Sequence, residues 1–145
     1  MSSSYCALAA GTAVSLLFAG AALAADARPA LTTHLTGAAE VPGPGDADAT
    51  GTASVTIDPA TMQVCYDLQV AHVDKPTMAH IHKGAVGVAG PVVVVLKTPV
   101  DGHAKACATT THELATAILA TPADYYVNVH NEAHPKGALR GQLGS

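Results

Sequence analysis

Apolar and polar positions alternate along most of the chain, in short runs interrupted by Gly or Pro about every ten residues. That pattern predicts short antiparallel strands assembled as a sandwich or barrel. Leu31 to Ala38 is the first expected strand, stopped by the turn cluster Pro42-Gly43-Pro44-Gly45. Thr50 to Ile57 is the second, with Ala53, Val55 and Ile57 on one face and a turn at Asp58-Pro59. Met62 to Val70 alternates most cleanly: Met62, Val64, Tyr66, Leu68 and Val70 share one face, Cys65, Asp67 and Gln69 the other. Ala79 to His82, Tyr125 to His130 and Leu139 to Leu143 are further strands. Val92 to Leu96 is continuously apolar, the signature of a strand covered on both faces. Thr111 to Leu119 predicts the one short helix, with Leu114, Ala117 and Ile118 on one side and Thr121-Pro122 as its stop.

The start of the chain obeys a different rule. Residues Ala7 to Ala24 carry no charge, and every Lys, Arg, Asp and Glu lies at Asp26 or beyond. An apolar run ending in Ala22-Leu23-Ala24, a small-x-small pattern, reads as a secretory signal peptide over residues 1–24, leaving 25–145 as one domain. An uncleaved membrane anchor is the rival reading, at the lower limit of spanning length. Export places the protein in the periplasm or outside the cell, with no membrane span once the signal is removed. It also removes Cys6 and leaves Cys65 and Cys107, which in an oxidising compartment form a disulfide most simply. Two buried free thiols are the alternative.

Composition narrows the function. The chain has 145 residues, 49% of them hydrophobic and 12% charged, which suits one folded domain rather than a disordered tail. Seven Lys and Arg against eleven Asp and Glu give a net charge of −4, and only Tyr66, Tyr125 and Tyr126 remain as aromatics after the leader. A nucleic-acid partner would need a basic footprint, so that class is excluded. Histidine is the unusual residue, with eight in all.

His80-Ile81-His82 puts two imidazoles on one strand face, about 6–7 Å apart at the backbone. Tyr126, Asn128 and His130 share one face of a later strand. If those strands are neighbours, His80, His82 and His130 form a three-nitrogen metal site, with His134 a fourth ligand or a supporting group. Asn128, Tyr126 and Arg140 would border it. Imidazole-only ligation suits copper first and zinc second, whereas calcium and magnesium want oxygen. Because imidazole binds metal only when neutral, occupancy should fall below about pH 6. His34, His72, His103 and His112 lack paired spacing and read as surface residues, and Arg140 by itself reads as an ion-pairing surface residue. Gly84 to Gly90 is glycine-rich but lacks the GK[ST] ending of a phosphate loop. No GxSxG elbow and no carboxylate pair is present to support hydrolytic chemistry.

Three ordered motifs carry a resemblance. Leu35-Thr36-Gly37-Ala38, Glu40-Val41-Pro42 and Gly51-Thr52-Ala53 resemble the opening of the CHRD (chordin) domain. Ala79-His80-Ile81-His82-Lys83-Gly84 with Gly87 and Gly90-Pro91-Val92-Val93 resembles its centre, and Tyr126-Val127-Asn128-Val129-His130 with Pro135 to Leu143 resembles its end. The likeness spans about Leu31 to Leu143 and implies an exported module. In chordin itself such modules accompany growth-factor-binding repeats, which implies a metal-free interaction module with a protein partner in the cell envelope as the alternative function.

A second likeness, to Cu/Zn superoxide dismutase, lies in the order of HxH, glycine, late V-x-V-H and a late arginine. It implies His80, His82 and His130 as copper ligands, Arg140 as an anion guide, and a copper-dependent oxidoreductase as a third reading. The zinc-ligand loop of that family has no counterpart here. The expected architecture is therefore all-β, a Greek-key antiparallel β-sandwich of superoxide-dismutase-like or immunoglobulin-like type with one short helix.

Overall fold

A computed structural model describes residues 28–144. The expected signal peptide and its cleavage site after Ala24 lie outside the described residues. In chain order the elements are β1 (Leu31–Thr36), β2 (Thr50–Asp58), β3 (Gln63–Ala71), β4 (Met78–Lys83), β5 (Val92–Leu96), β6 (His103–Thr109), α1 (His112–Ala120), β7 (Tyr125–His130) and β8 (Leu139–Gln142). All strand pairs are antiparallel, in one sheet ordered β5-β4-β7-β8-β1-β2-β3-β6.

The sheet narrows at its middle. β1 and β8 are joined by the single registered pair Thr36↔Arg140, which divides the strands into two halves of four. The outer edges, β5 and β6, approach each other, so the sheet rolls nearly closed into a barrel. β6 returns to lie beside β3 after the β4–β5 hairpin, a Greek-key return. The all-β, antiparallel expectation with one helix therefore holds. Instead of two separate layers, one continuous sheet wraps around its own core, an arrangement that hides strand edges.

That core is built by period-two alternation. Val55, Ile57, Val64 and Leu68 point inward from one half, and Ala79, Ile81, Val127 and Val129 from the other, all essentially without solvent contact. Helix α1 is capped by the Thr111 hydroxyl, which accepts from the Leu114 N–H at 3.1 Å. Its Ile118 enters the core as expected, joined by Ala115, while Leu114 and Ala117 pack along the flank.

Two details differ from the sequence reading. β5 is covered on one face only, since Val95 is 69% exposed; as an edge strand it has a solvent side despite its unbroken apolar sequence. Strand β6 was not expected at all. It alternates His103, Lys105, Cys107 and Thr109 outward with Ala104, Ala106 and Ala108 inward, and alanine carries little strand signal. Small inward residues fit because they face the large Val64, Tyr66 and Leu68 of β3 in register. The same pairing sets Cys65 directly opposite Cys107, and the two form a disulfide.

Candidate metal centre

β4 and β7 are hydrogen-bonded neighbours, which is the condition the histidine pattern required. The register pairs Met78 with His130, His80 with Asn128 and His82 with Tyr126. Because Ala79, Ile81, Val127 and Val129 take the core side, His80, His82, Tyr126, Asn128 and His130 all stand on the opposite face. In most sheets that face would be wet. Here the segments after β1, β4 and β7 fold over it, so every residue of β7 is buried.

Three imidazoles converge under this roof. The ring centroids are 5.1 Å apart for His80–His130, 5.5 Å for His80–His82 and 6.2 Å for His82–His130. One nitrogen from each ring lies within 4.8 Å of the others. His130 and His82 are 6% and 9% exposed, while His80 is more open. Among the described residues no carboxylate or thiol shares the cluster.

Backbone carbonyls set the tautomers. Nδ1 of His82 donates to the Gly90 carbonyl at 2.9 Å, and Nδ1 of His130 donates to the Pro135 carbonyl at 3.1 Å. Each bond leaves Nε2 as the lone-pair nitrogen, as in metal-binding histidines whose other nitrogen is engaged. Nε2 of His130 lies 3.2 Å from Nδ1 of His80, and Nε2 of His82 is buried without a hydrogen-bond partner. A buried polar atom left unpaired costs roughly 1–3 kcal/mol, so this nitrogen is suited to a ligand. Burial holds all three rings below the usual imidazole range, and mutual repulsion between positive rings adds to the effect at His80. The rings are thus neutral near pH 7, the form that coordinates a metal.

A stacked column supports His82. Its ring lies 4.8 Å from the Tyr126 ring, nearly parallel to it, and the Arg140 guanidinium sits over the other face of Tyr126 at 3.5 Å. Arg140 donates to the carbonyls of Val88 and Ala85 at 3.0 and 2.8 Å and to Gln142 at 3.3 Å. The Gly90 N–H donates to the Tyr126 hydroxyl at 3.1 Å. Together these bonds pin the β4–β5 loop so that its Gly90 carbonyl meets His82. A side chain at Gly90 would overlap the Lys83 carbonyl, which is why glycine stands there.

The placement of Arg140 corrects the surface reading. It is 2% exposed, and its donors go to protein acceptors within the fold. It fastens a loop, and a guanidinium so enclosed is poorly placed to attract an anion from solvent.

The remaining expected residues sort as follows. Asn128 is buried between the two strands that flank it and donates to the Leu139 carbonyl at 3.2 Å and to the Glu40 carboxylate. His134 does not join the three-ring cluster; it lines a cleft of ≈ 200 Å³ with Glu40, Pro42 and Lys136. His34, His72, His103 and His112 are exposed, as expected. His103 lies 3.0 Å from Asp67.

Glu40 escaped the sequence reading. It is a buried carboxyl whose pKa burial pushes up to about 7, against the opposing pull of the Val41 N–H, the Arg140 charge and Asn128. The loop carrying it follows β1 and reaches the site through tertiary packing alone. Only its place in the motif Glu40-Val41-Pro42 hinted at a role. The carbonyl partners Gly90 and Pro135 were equally hidden, because backbone acceptors leave no trace in residue type.

The CHRD domain family profile matches residues 31–143. The chain belongs to the CHRD domain family. No curated protein and no solved structure gives a significant match. The CHRD match runs from the first residue of β1 to just beyond β8 and includes the three histidines, Glu40 and Arg140. No described helix is long and apolar enough to cross a membrane.

Proposed function

We propose that this CHRD domain is exported to the periplasm or the cell exterior and there binds one copper ion, held by the imidazole of His80 and by Nε2 of His82 and His130. The observation that carries the reading is the unpaired, buried Nε2 of His82, grouped with two further neutral imidazoles, of which His130 also has its Nδ1 engaged by a carbonyl. Three nitrogen donors without a carboxylate favour late divalent ions, copper above zinc, over calcium or magnesium. Copper would supply one-electron redox chemistry, while the protein's part is to hold the ion, shield it and keep the rings deprotonated. The Cys65–Cys107 disulfide fits an oxidising compartment. A storage or carrier role fits better than dismutase-like turnover, since the buried Arg140 is occupied with loop carbonyls.

The exposed valines on β5 and its preceding loop favour a second reading, a metal-free module that docks a protein. One experiment separates the two. Copper titration of the purified protein at about pH 7.5 and about pH 4.5 should show one tight site that weakens in acid as the rings protonate. Equal binding at both values overturns the imidazole assignment. In parallel, His80→Ala, at the most open of the three rings, should abolish the site with the melting temperature of the metal-free protein little changed; a large loss of apo stability would support a structural histidine instead.

A further inference from the structure

We propose that Met78 contributes a thioether to this centre and makes it a site for copper in the monovalent state, an inference that rests on the three-histidine reading above. Met78 opens β4 two residues before His80, so its side chain stands on the face that carries His80 and His82. It is also the direct cross-strand partner of His130. The Cβ atoms of such partners lie about 4.5–5.5 Å apart. An unbranched side chain with three rotatable bonds spans that gap readily. Met78 and the three histidines therefore occupy one contiguous patch of the β4–β7 ladder.

The surroundings of Met78 give it no other task. It is 45% exposed and stands outside the core, whose neighbouring positions are filled by Ala79 and Ile81. It shares a strand face with His80, the least enclosed of the three rings. His134, the other candidate for a fourth donor, stays outside the cluster. Three neutral imidazoles and a thioether form an uncharged, partly soft donor set. Thioether sulfur selects monovalent copper, whereas zinc and divalent copper are well served by nitrogen alone.

The test compares the wild-type protein with Met78→Leu, a change of similar volume at an exposed position. Monovalent copper affinity is measured anaerobically by competition with a chromogenic chelator, and divalent copper affinity by direct titration. Met78→Leu should lower monovalent affinity by about tenfold or more while changing divalent affinity less than about twofold. The reduction potential of the bound copper should then fall by about 59 mV for each tenfold lost. X-ray absorption of the monovalent form should show a sulfur scatterer in the wild type that is missing from the variant. Equal monovalent affinity in both proteins, or equal loss of both oxidation states, overturns the role of Met78 and leaves the histidine centre standing. A wild-type protein that binds neither ion overturns both.

Discussion

The two halves of the sheet contribute comparably to one core but present opposite outer faces. Across β1, β2, β3 and β6 the outward residues form transverse polar rows, His34–Thr52–Gln69–His103 and Thr32–Ser54–Asp67–Lys105, and the first row lines a broad depression of ≈ 750 Å³. None of the three histidines lines that depression. Across β4, β7 and β8 the outward residues are roofed by loops, and their polar atoms must find partners inside the protein. On the first face His103 meets Asp67 at the surface. On the second, His82 and His130 take backbone carbonyls for one nitrogen and turn the other toward the cluster. Covering the outer face of a half-sheet is what gathers ordinary strand histidines into a cluster that could hold a metal.

If that division is real, the largest effect should come from the disulfide on the open half. Cys65→Ser/Cys107→Ser releases a loop of 42 residues and should cost about 3–4 kcal/mol of stability in chemical denaturation. Copper affinity of the remaining folded protein should be unchanged. A parallel loss of copper binding would mean that the halves are not separable.

A sharper contrast uses one outward residue from each half. Arg140→Met removes the donors that hold the carbonyls of Ala85 and Val88, and should cost about 1–3 kcal/mol. It should also weaken copper binding by roughly tenfold through the loosened Gly90 contact to His82. Gln69→Thr, outward on β3, should stay within about 0.5 kcal/mol and leave copper binding untouched. Thermal melts and metal titration on both variants decide the matter; equal effects would erase the distinction between roofed and open faces.

The last effect is a pH dependence. Glu40 has its pKa raised from 4.5 to about 7, so the folded protein binds more protons than the unfolded chain between those values. Stability from this group therefore rises as pH falls from above 7 toward 4.5. The three depressed histidines act in the opposite sense. Below an unfolded pKa of about 6.5 the unfolded chain binds more protons, so acid removes their contribution. Glu40→Gln should raise the melting temperature relative to wild type near pH 8, with the advantage shrinking toward pH 5. An advantage constant with pH would show that Glu40 is not buried as a titrating group.

Much of this was legible from alternation alone. Seven of the eight strands, the helix and the shared face of Tyr126, Asn128 and His130 follow from period-two and helical spacing, because side-chain direction is a local property of the backbone. β6 was hidden since its inward residues are alanines, chosen to fit the large side chains of β3 rather than to favour a strand. The exposure of Val95 was hidden for a related reason, as an edge position depends on which neighbour is absent. At the site, HxH and V-x-V-H could be read as donors, but the burial of Arg140 and the arrival of Glu40 beside Asn128 could not.

By itself, then, the sequence settled which residues face together on each strand and which side chains could offer nitrogen to a metal. Only the tertiary structure decided that β4 lies beside β7, that three loops cover their outer face, and that Gly90 and Pro135 present carbonyls to the rings. The physical reason is range. Side-chain alternation is set within a few residues, whereas strand pairing, loop coverage and the desolvation that leaves His82 with an unpaired nitrogen depend on contacts between separate segments, up to 88 residues apart for Glu40 and Asn128.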